Sequence, residues 1–476
     1  MSEANAQDTL DLLGLARRRP IHFMGIAGAG MTPLAELVLR QGGAVTGCDA
    51  KLSEGARGLA ALGARISAGH DPDHVSGCSA LVVTSAVPAD HPEVRAAREA
   101  GLPVLKRAQA LGAVVNHATV VGVSGTHGKT TTTALTTAVL AAAGLSPTGL
   151  VGGRVPAWGG NLHPGGDSLF VVEADEYDRS FHTLRPTVAV ITTLEADHLD
   201  IFGTLEGVED AFAGFLDSIA ADGLVVACGD DAGVGRLLPR LSAGVARLLT
   251  YGLNAGSMLR AERVETDGLR STFLVRERGR ELGTATIGLP GLHNVRNALA
   301  AVAVARHLGA GWPEIREGLA AYAGVARRFE RVGEAGGVLF VDDYAHHPTE
   351  IRATLAAARS AYPDRRLVAV FQPHLYSRTR DFAEEFGRAL AQSDLLVLTD
   401  IYPAREAPIP GVTGELVAEH ARAAGGDVLY VPERADVVDR VADRLRAGDL
   451  CVTMGAGDLD EACRELLETL SRAGAA

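Results

Sequence analysis

The chain has 476 residues, 47% hydrophobic and 22% charged, enough apolar material for about three packed domains at roughly 150 residues each. A formal net charge of −13 offers nothing to a nucleic acid or an anionic membrane surface, so any phosphate site has to be built locally. The N-terminus has no basic region followed by an apolar one, and no apolar run reaches the roughly 18 residues of a membrane span; a soluble, cytoplasmic chain without membrane insertion is expected. Cys48, Cys78, Cys228, Cys451 and Cys463 are scattered without a CxxC pair, a spacing that indicates neither a disulfide framework nor a zinc site and fits a reducing compartment.

Runs of Val, Ile and Leu alternate with helical stretches, the pattern of parallel sheets covered by helices, which predicts an α/β fold in three blocks. The first, residues 1–116, opens with IHFMG at Ile21 and continues through AVTGCD and LVVTSAV as a doubly wound, Rossmann-like unit. After its first strand come Gly25, Ala27, Gly28 and Gly30, and Asp49 ends its second strand. Such a turn brings a helix N-terminus to a diphosphate, with the acid available to a ribose hydroxyl. The glycine spacing departs from GxGxxG, so a nicotinamide cofactor is not secured, and a plain strand-to-helix turn is the alternative.

The second block, residues 117–324, begins with TVVGVSG and runs at once into Gly125-Thr126-His127-Gly128-Lys129-Thr130-Thr131 and a helix to about Ala143. Strand, glycine loop and helix make a phosphate cradle: backbone N–H groups face a polyphosphate, Lys129 reaches its outer charges, and the Thr130 hydroxyl can hold magnesium. Three further strands, LFVVEAD, VAVITTLEAD and LVVACGD, belong to the same parallel sheet. The acids after the first of them are Glu173, Asp175, Glu176 and Asp178. Glu173 is the first choice for magnesium, with Asp175 on its face of the strand; the others divide between ion ligands and solvated charges. His198, in EADHLD, either completes a metal shell, orients a phosphate or is structural. Alternating residues 258–287 predict an antiparallel flap with one wet face. An amphipathic helix follows, with Asn294 and Asn297 three apart on one face; they can read a nucleobase, or Asn294 can cap the helix.

The third block, residues 325–476, is again an alternating, Rossmann-like pattern. It carries Arg328 in RRFE, Asp343, Tyr344, His346 and His347 in DDYAHHP, and Arg378 and Arg380 in QPHLYSRTR. The last two clusters sit at strand ends, where arginines clamp a carboxylate or neutralise a transferring phosphoryl group; a generic basic rim is the alternative.

The glycine turn, GTHGKTT, EADE, EADHLD, GxHNxxN, RRFE, DDYAHHP and QPHLYSRT, in this order, resemble the Mur ligase family over nearly the whole chain, about Ile21 to Asp458. The resemblance implies a UDP-sugar domain, a central P-loop-type ATPase domain and a C-terminal domain closing over nucleotide and amino acid. Its nearest branch would phosphorylate the carboxylate of UDP-N-acetylmuramic acid with ATP and Mg2+, pass through an acyl phosphate, and join L-alanine, as a monomer or homodimer. Carried over residue by residue, Lys129 steadies the transferring phosphoryl, and Thr130, Glu173 and His198 hold magnesium. The loop from Gly125 to Thr131, with Asn294, Asn297, Arg328, Asp343 and His347, contacts ATP. Tyr344, His346, Arg378 and Arg380 hold alanine, and Gly25, Ala27, Gly28, Gly30, Asp49, His70, Ser85 and Arg107 face the UDP-sugar. Two departures concern substrate contacts: Ala27 where a glycine is common, and Thr193 where many members carry asparagine. The alternatives are a murein-tripeptide ligase of the same family, a nicotinamide-dependent oxidoreductase built on the first block, and a nucleotide-gated binding module without ligase activity.

Overall fold

A computed structural model describes residues 10–84, 86–241, 247–404 and 406–473. Three sheets organise the α/β chain. Five parallel strands form the first, β1 (Ile21–Met24), β2 (Val45–Asp49), β3 (Arg65–Ala68), β4 (Ala80–Val83) and β5 (Val104–Lys106), in the order β3-β2-β1-β4-β5. Strand order reverses between β1 and β4, and the carboxyl ends of strands at such a reversal are where open α/β sheets bind ligands. β1 and β4 are buried at every position, which is why IHFM and ALVV run nearly unbroken instead of alternating.

The second sheet contains β6 (Thr119–Ser124), β7 (Thr148–Val155), β8 (Gly160–His163), β9 (Leu169–Glu173), β10 (Val188–Ile191), β11 (Leu224–Cys228), β12 (Arg247–Gly252), β13 (Leu259–Asp267), β14 (Arg270–Glu277) and β15 (Arg280–Ile287). Its order is β15-β14-β13-β12-β11-β10-β6-β9-β7-β8. The strands from β12 to β7 in that order pair in parallel, and β8 closes one edge antiparallel. Two-residue links at 268–269 and 278–279 make β13, β14 and β15 successive hairpins, which run antiparallel. Burial alternates along most of β13, the wet-faced flap expected from residues 258–287.

The helix Lys129–Ala142 follows β6 directly and is built largely of threonine, a residue that is usually a poor helix former. Two of its hydroxyls return to the preceding turn, Thr133 Oγ1 to Lys129 O and Thr137 Oγ1 to Thr133 O, each at 2.8 Å, so these two are satisfied locally. The helix Leu292–His307 differs from expectation. Every residue from 298 to 305 is at most 1% exposed, so this stretch is buried all round, and its Ala and Val residues suit an interior segment rather than an amphipathic one.

The third sheet has five parallel strands and one antiparallel edge. Its strands are β16 (Glu330–Ala335), β17 (Val338–Asp343), β18 (Arg366–Phe371), β19 (Leu395–Leu398), β20 (Val428–Tyr430) and β21 (Asp449–Met454), in the order β16-β17-β21-β18-β19-β20.

Two compact units result: Met1–Glu262 with Leu274–Ala285 and Arg296–Ala323, and Arg263–Phe273 with Thr286–Val295 and Gly324–Ala476. Within the first, one apolar core runs from Leu12 and Ile21 of the first block to Phe212 and Leu237 of the second. The helix Arg107–Val115 joins the two blocks. Asn116, at its C-cap, donates from Nδ2 to Thr183 O (2.9 Å) and accepts at Oδ1 from Arg185 N (3.0 Å). A Cβ on Gly112 would lie 2.5 Å from the same Thr183 carbonyl, so glycine is required for this approach. Among the described residues no helix is long and apolar enough to cross a membrane.

Candidate active site

The glycine loop sits where the sequence places it, between the end of β6 and the helix starting at Lys129. Gly125 has φ 136° and a Cβ there would fall 2.0 Å from Thr192 Oγ1; Gly128 has φ 82° and its Cβ would meet Asn297 Oδ1 at 2.8 Å. Both positions exclude a side chain by backbone conformation and by space. A segment after β10 braces the loop: Thr126 N donates to Thr193 O and His127 N to Thr193 Oγ1, both at 2.9 Å, and Thr192 Oγ1 donates to His127 O. Thr193, one of the two departures, thus supplies a hydroxyl that fixes the loop. No side chain caps the helix that begins at Lys129, leaving its N-terminus for an anion.

Lys129 turns back on this loop. Its Nζ donates to Gly125 O (2.7 Å) and Thr126 O (3.3 Å) and lies 2.8 Å from both Glu176 oxygens. Burial opposes the ammonium, but the carboxylates of Glu176, Asp175 and Glu173 outweigh it and push Lys129 up to about 12. Glu176 is 2% exposed, and burial pushes it up to about 7 against the pull of Lys129. It is therefore no solvated charge. The strand-face argument for Asp175 also fails, because β9 ends at Glu173; Asp175 instead accepts Tyr177 N at Oδ1 (3.2 Å).

Glu173 holds two groups at once, accepting Thr130 Oγ1 at Oε1 (2.9 Å) and Gly152 N at Oε2 (2.6 Å). Carboxylate and hydroxyl are thus paired as a hard-oxygen set beside the phosphate loop, the donor chemistry that magnesium takes. His198 begins the short helix Leu199–Phe202 from a left-handed φ of 51°. Its Nε2 is 3.8 Å from Glu176 Oε1 and 3.8 Å from Asp197 Oδ2, and its ring packs edge-on against Tyr177. Lys129, Glu176 and His198 converge, and Thr130 and Glu173 form an adjoining pair.

The glycine turn of the first sheet meets this acid pair across a cavity of about 260 Å³, lined by Ala29, Gly30 and Arg107 on one side and Gly152, Glu173 and Asp175 on the other. Gly25 has φ 80°, Gly28 packs on the Gly25 carbonyl, and Gly30 lies under the Arg107 side chain, 3.1 Å from Cδ at its Cβ position. Asp49 Oδ2 accepts Ala27 N at 3.0 Å; the acid shapes the turn from beneath. His70 Nδ1 lies 3.3 Å from Cys48 Sγ. Ser85 lies outside the described residues.

In the second unit, Asp343 ends β17 in a buried position, accepting Phe329 N at Oδ2 and Ala345 N at Oδ1, both at 2.8 Å. Burial pushes it up to about 7 despite Arg328. One of the two N–H groups it holds, that of Phe329, belongs to a turn in which Arg327 and Phe329 have φ 58° and 52°, backbone strain of the kind that collects at functional sites. Arg327 and Arg328 both stack on Tyr344, each 5.1 Å from the ring centre. His347 caps the helix Pro348–Ala361. His346 Nδ1 meets Tyr344 O at 2.9 Å and Glu350 at 3.3 Å. Asn294 donates from Nδ2 to Pro290 O (2.8 Å). Arg378 is 7% exposed, whereas Arg380 is exposed and bound to Asp381 at 2.7 Å; the two arginines are not gathered into one clamp.

Sequence reasoning left Glu176 undecided and missed Gly152 and Thr192. Only the helix-opening lysine hinted at a buried partner for itself, and the other two act through backbone or packing at long range.

A glycine loop opening a helix, a lysine on a buried acid and a carboxylate–hydroxyl pair at parallel strand ends define an enzyme that works on a nucleotide polyphosphate. The chain belongs to the Mur ligase family: residues 20–119 match the Mur ligase family catalytic domain, 123–305 the Mur ligase middle domain and 327–457 the Mur ligase glutamate ligase domain. It is 44% identical over 462 residues to the UDP-N-acetylmuramate–L-alanine ligase of Salinibacter ruber, covering 97% of each chain. Against the ligase of that name from Streptomyces avermitilis it is 44% identical, covering 97% of this chain and 99% of the relative. Among solved structures, the UDP-N-acetylmuramate–alanine ligase of Thermotoga maritima superposes with a TM-score of 0.80 at 27% identity, covering 96% of this chain and all of that one. A murein peptide ligase of Psychrobacter arcticus gives 0.69 at 26% identity, covering 95% and 99%.

Proposed function

We propose that the chain joins L-alanine to the carboxylate of UDP-N-acetylmuramic acid at the expense of ATP, through an acyl phosphate, in peptidoglycan precursor synthesis. The observation that carries this reading is the cavity in which the diphosphate-type turn at Gly30 and Arg107 faces Glu173 beside the Lys129 loop. A sugar nucleotide anchored at the turn has its far end at the phosphate loop. In the first step the sugar carboxylate oxygen attacks the γ-phosphorus and ADP leaves. In the second the alanine amine attacks the acyl carbon, phosphate leaves and the amine loses a proton. Such transfers depend on positioning and charge neutralisation.

Lys129 is assigned to the transferring phosphoryl, for which it exchanges Glu176. Thr130, Glu173 and His198 are assigned to magnesium, which supplies charge neutralisation at the phosphates. The Thr130–Glu173 contact and the placement of His198 on Glu176 support that set. Gly125, Thr126, His127, Gly128 and Thr131, with Asn294, Asn297, Arg328, Asp343 and His347, are assigned to ATP; Asn297 has the direct support of its packing on Gly128. Arg378 is assigned to the alanine carboxylate, with Tyr344 and His346 beside it, and Arg380 to a secondary place given its bond to Asp381. Gly25, Ala27, Gly28, Gly30, Asp49, His70 and Arg107 are assigned to the UDP-sugar. Working domain boundaries are 1–116, 117–324 and 325–476. Five free, buried cysteines support a reducing, cytoplasmic setting.

The test of carboxylate activation is isotopic. UDP-N-acetylmuramic acid carrying oxygen-18 in its carboxylate is expected to deliver one labelled oxygen to the phosphate released; unlabelled phosphate contradicts an acyl phosphate.

A further inference from the structure

Below the glycine turn the fold assembles a group that the spacing of cysteines along the chain does not reveal. His22 lies on β1, Cys48 on β2, His74 in the single turn Pro72–Val75, and Glu93 in the first turn of the helix Pro92–Glu99. His22, Cys48 and Glu93 are at most 2% exposed. One ligand atom from each of the four residues lies within 4.8 Å of all the others. The measured edges are His22 Nε2 to Cys48 Sγ 3.4 Å, Cys48 Sγ to Glu93 Oε2 3.3 Å, His74 Nδ1 to Glu93 Oε1 3.1 Å, and His22 Nε2 to Glu93 Oε2 3.9 Å. Zinc bonds of about 2.0–2.3 Å in tetrahedral geometry require ligand–ligand edges of roughly 3.3–3.7 Å; the two edges at Cys48 fall in that range and the other two miss it by about 0.2 Å.

We infer that His22, Cys48, His74 and Glu93 form a binding site for a borderline-soft divalent cation, zinc by preference, at the floor of the first sheet's glycine turn.

Charge supports the assignment. Glu93 is fully buried, and the groups able to pair with it within 4 Å are all histidines, His22, His70 and His74. A carboxylate held in the interior calls for a cation set against it. One divalent ion opposite a thiolate, a carboxylate and two neutral imidazoles brings the sum to zero. The donor set of one sulfur, two imidazoles and one carboxylate is that of zinc and its near neighbours. The outer partners needed to aim such ligands are present: Thr46 Oγ1 sits 2.9 Å from His22 Nδ1, and Asp71 N donates to Glu93 Oε1 at 2.7 Å. When the metal binds, the Cys48 S–H proton passes to solvent and a metal–sulfur bond forms, with no change of oxidation state. Gly25 N and Ile26 N both donate to the Cys48 carbonyl, so the ion would staple four elements directly beneath the turn. The inference stands on these residues alone and does not depend on the reaction proposed above.

Cobalt is the probe. The full chain is stripped with chelator and titrated with Co2+ in excess Mg2+, so that oxygen-only sites are already filled. One equivalent is expected to give the intense visible bands of a tetrahedral ion together with a thiolate-to-cobalt charge-transfer band, both displaced by one equivalent of Zn2+. Cys48→Ser is expected to remove the charge-transfer band. His74→Gln, at a half-buried position that keeps the thiolate, is expected to retain the band and weaken binding about ten-fold or more. Absence of the charge-transfer band in the unaltered chain, or its survival at full strength in Cys48→Ser, overturns the site, as does unchanged affinity in His74→Gln.

Discussion

Replacing Lys129 by alanine tests how the phosphate loop is held before nucleotide arrives. Two unit charges 2.8 Å apart attract by roughly 6 kcal/mol at an effective dielectric near 20, most of which is offset by the desolvation of two buried ions. Truncating one partner strands the other, at a cost of about 3–5 kcal/mol when the survivor stays charged. Glu176 has an escape in protonation. Its folded value of about 7 lies above the 4.5 of an exposed glutamate, so the stability it contributes is fully present below 4.5 and is lost as pH rises through 7. In Lys129→Ala the lowering influence of the ammonium is gone, the folded value climbs further, and the loss continues above pH 7 at up to about 1.4 kcal/mol per pH unit. The expected destabilisation is therefore about 1 kcal/mol at pH 6 and about 3 kcal/mol at pH 8.5. Both tryptophans, Trp158 and Trp312, fall in the first compact unit with the ion pair, so urea unfolding followed by their fluorescence reads the relevant transition. Lys129→Ala/Glu176→Gln removes the stranded acid and should be more stable than Lys129→Ala at pH 8.5. A pH-independent penalty, or a double variant no better than the single one, refutes the reasoning.

Glu173→Gln leaves Thr130 and Gly152 one shared acceptor and removes the charge proposed for magnesium; ADP formation is expected to fall about 10²–10³-fold with a higher magnesium requirement, read by magnesium titration of turnover. Arg378→Lys loses the planar fork that matches a carboxylate, and a ten- to hundred-fold rise in KM for alanine, roughly 1.4–3 kcal/mol, is expected with KM for ATP unchanged. Gly318 packs helix Trp312–Ala321 against helix Lys129–Ala142, where a Cβ would lie 2.7 Å from Val139 Cα. Gly318→Ala is thus expected to cost about 1–3 kcal/mol by overpacking, measured as a lowered Tm without loss of the nucleotide contacts.

The elements that carry local signals were legible in the sequence. IHFM, TVVGVS and LFVVE are strands because buried parallel strands need continuous apolar runs, and the glycine loop announces itself by residues that no other side chain can replace. Assigning an amphipathic helix at Leu292–His307 failed because its stretch 298–305, buried all round and built mostly of Ala and Val, lacks the polar face that periodicity detects. Glu176 could not be placed, since alternation along β9 stops at Glu173 and the chain then turns the next acid inward to Lys129, a tertiary choice. Asp49 Oδ2 accepts Ala27 N of the glycine turn, a contact between residues 22 positions apart that spacing along the chain does not announce. The Cys48 group shows the same limit more sharply: metal spacing rules search along the chain, and these four ligands come from four separate elements.

Release of ADP measures directly the coupling of one substrate pair to ATP. With UDP-N-acetylmuramic acid present, L-alanine is expected to drive release of one ADP and one phosphate per molecule of product, and omission of either substrate is expected to stop it; glycine, L-serine and the murein tripeptide serve as competing acceptors. Turnover with the tripeptide but not with L-alanine contradicts the account.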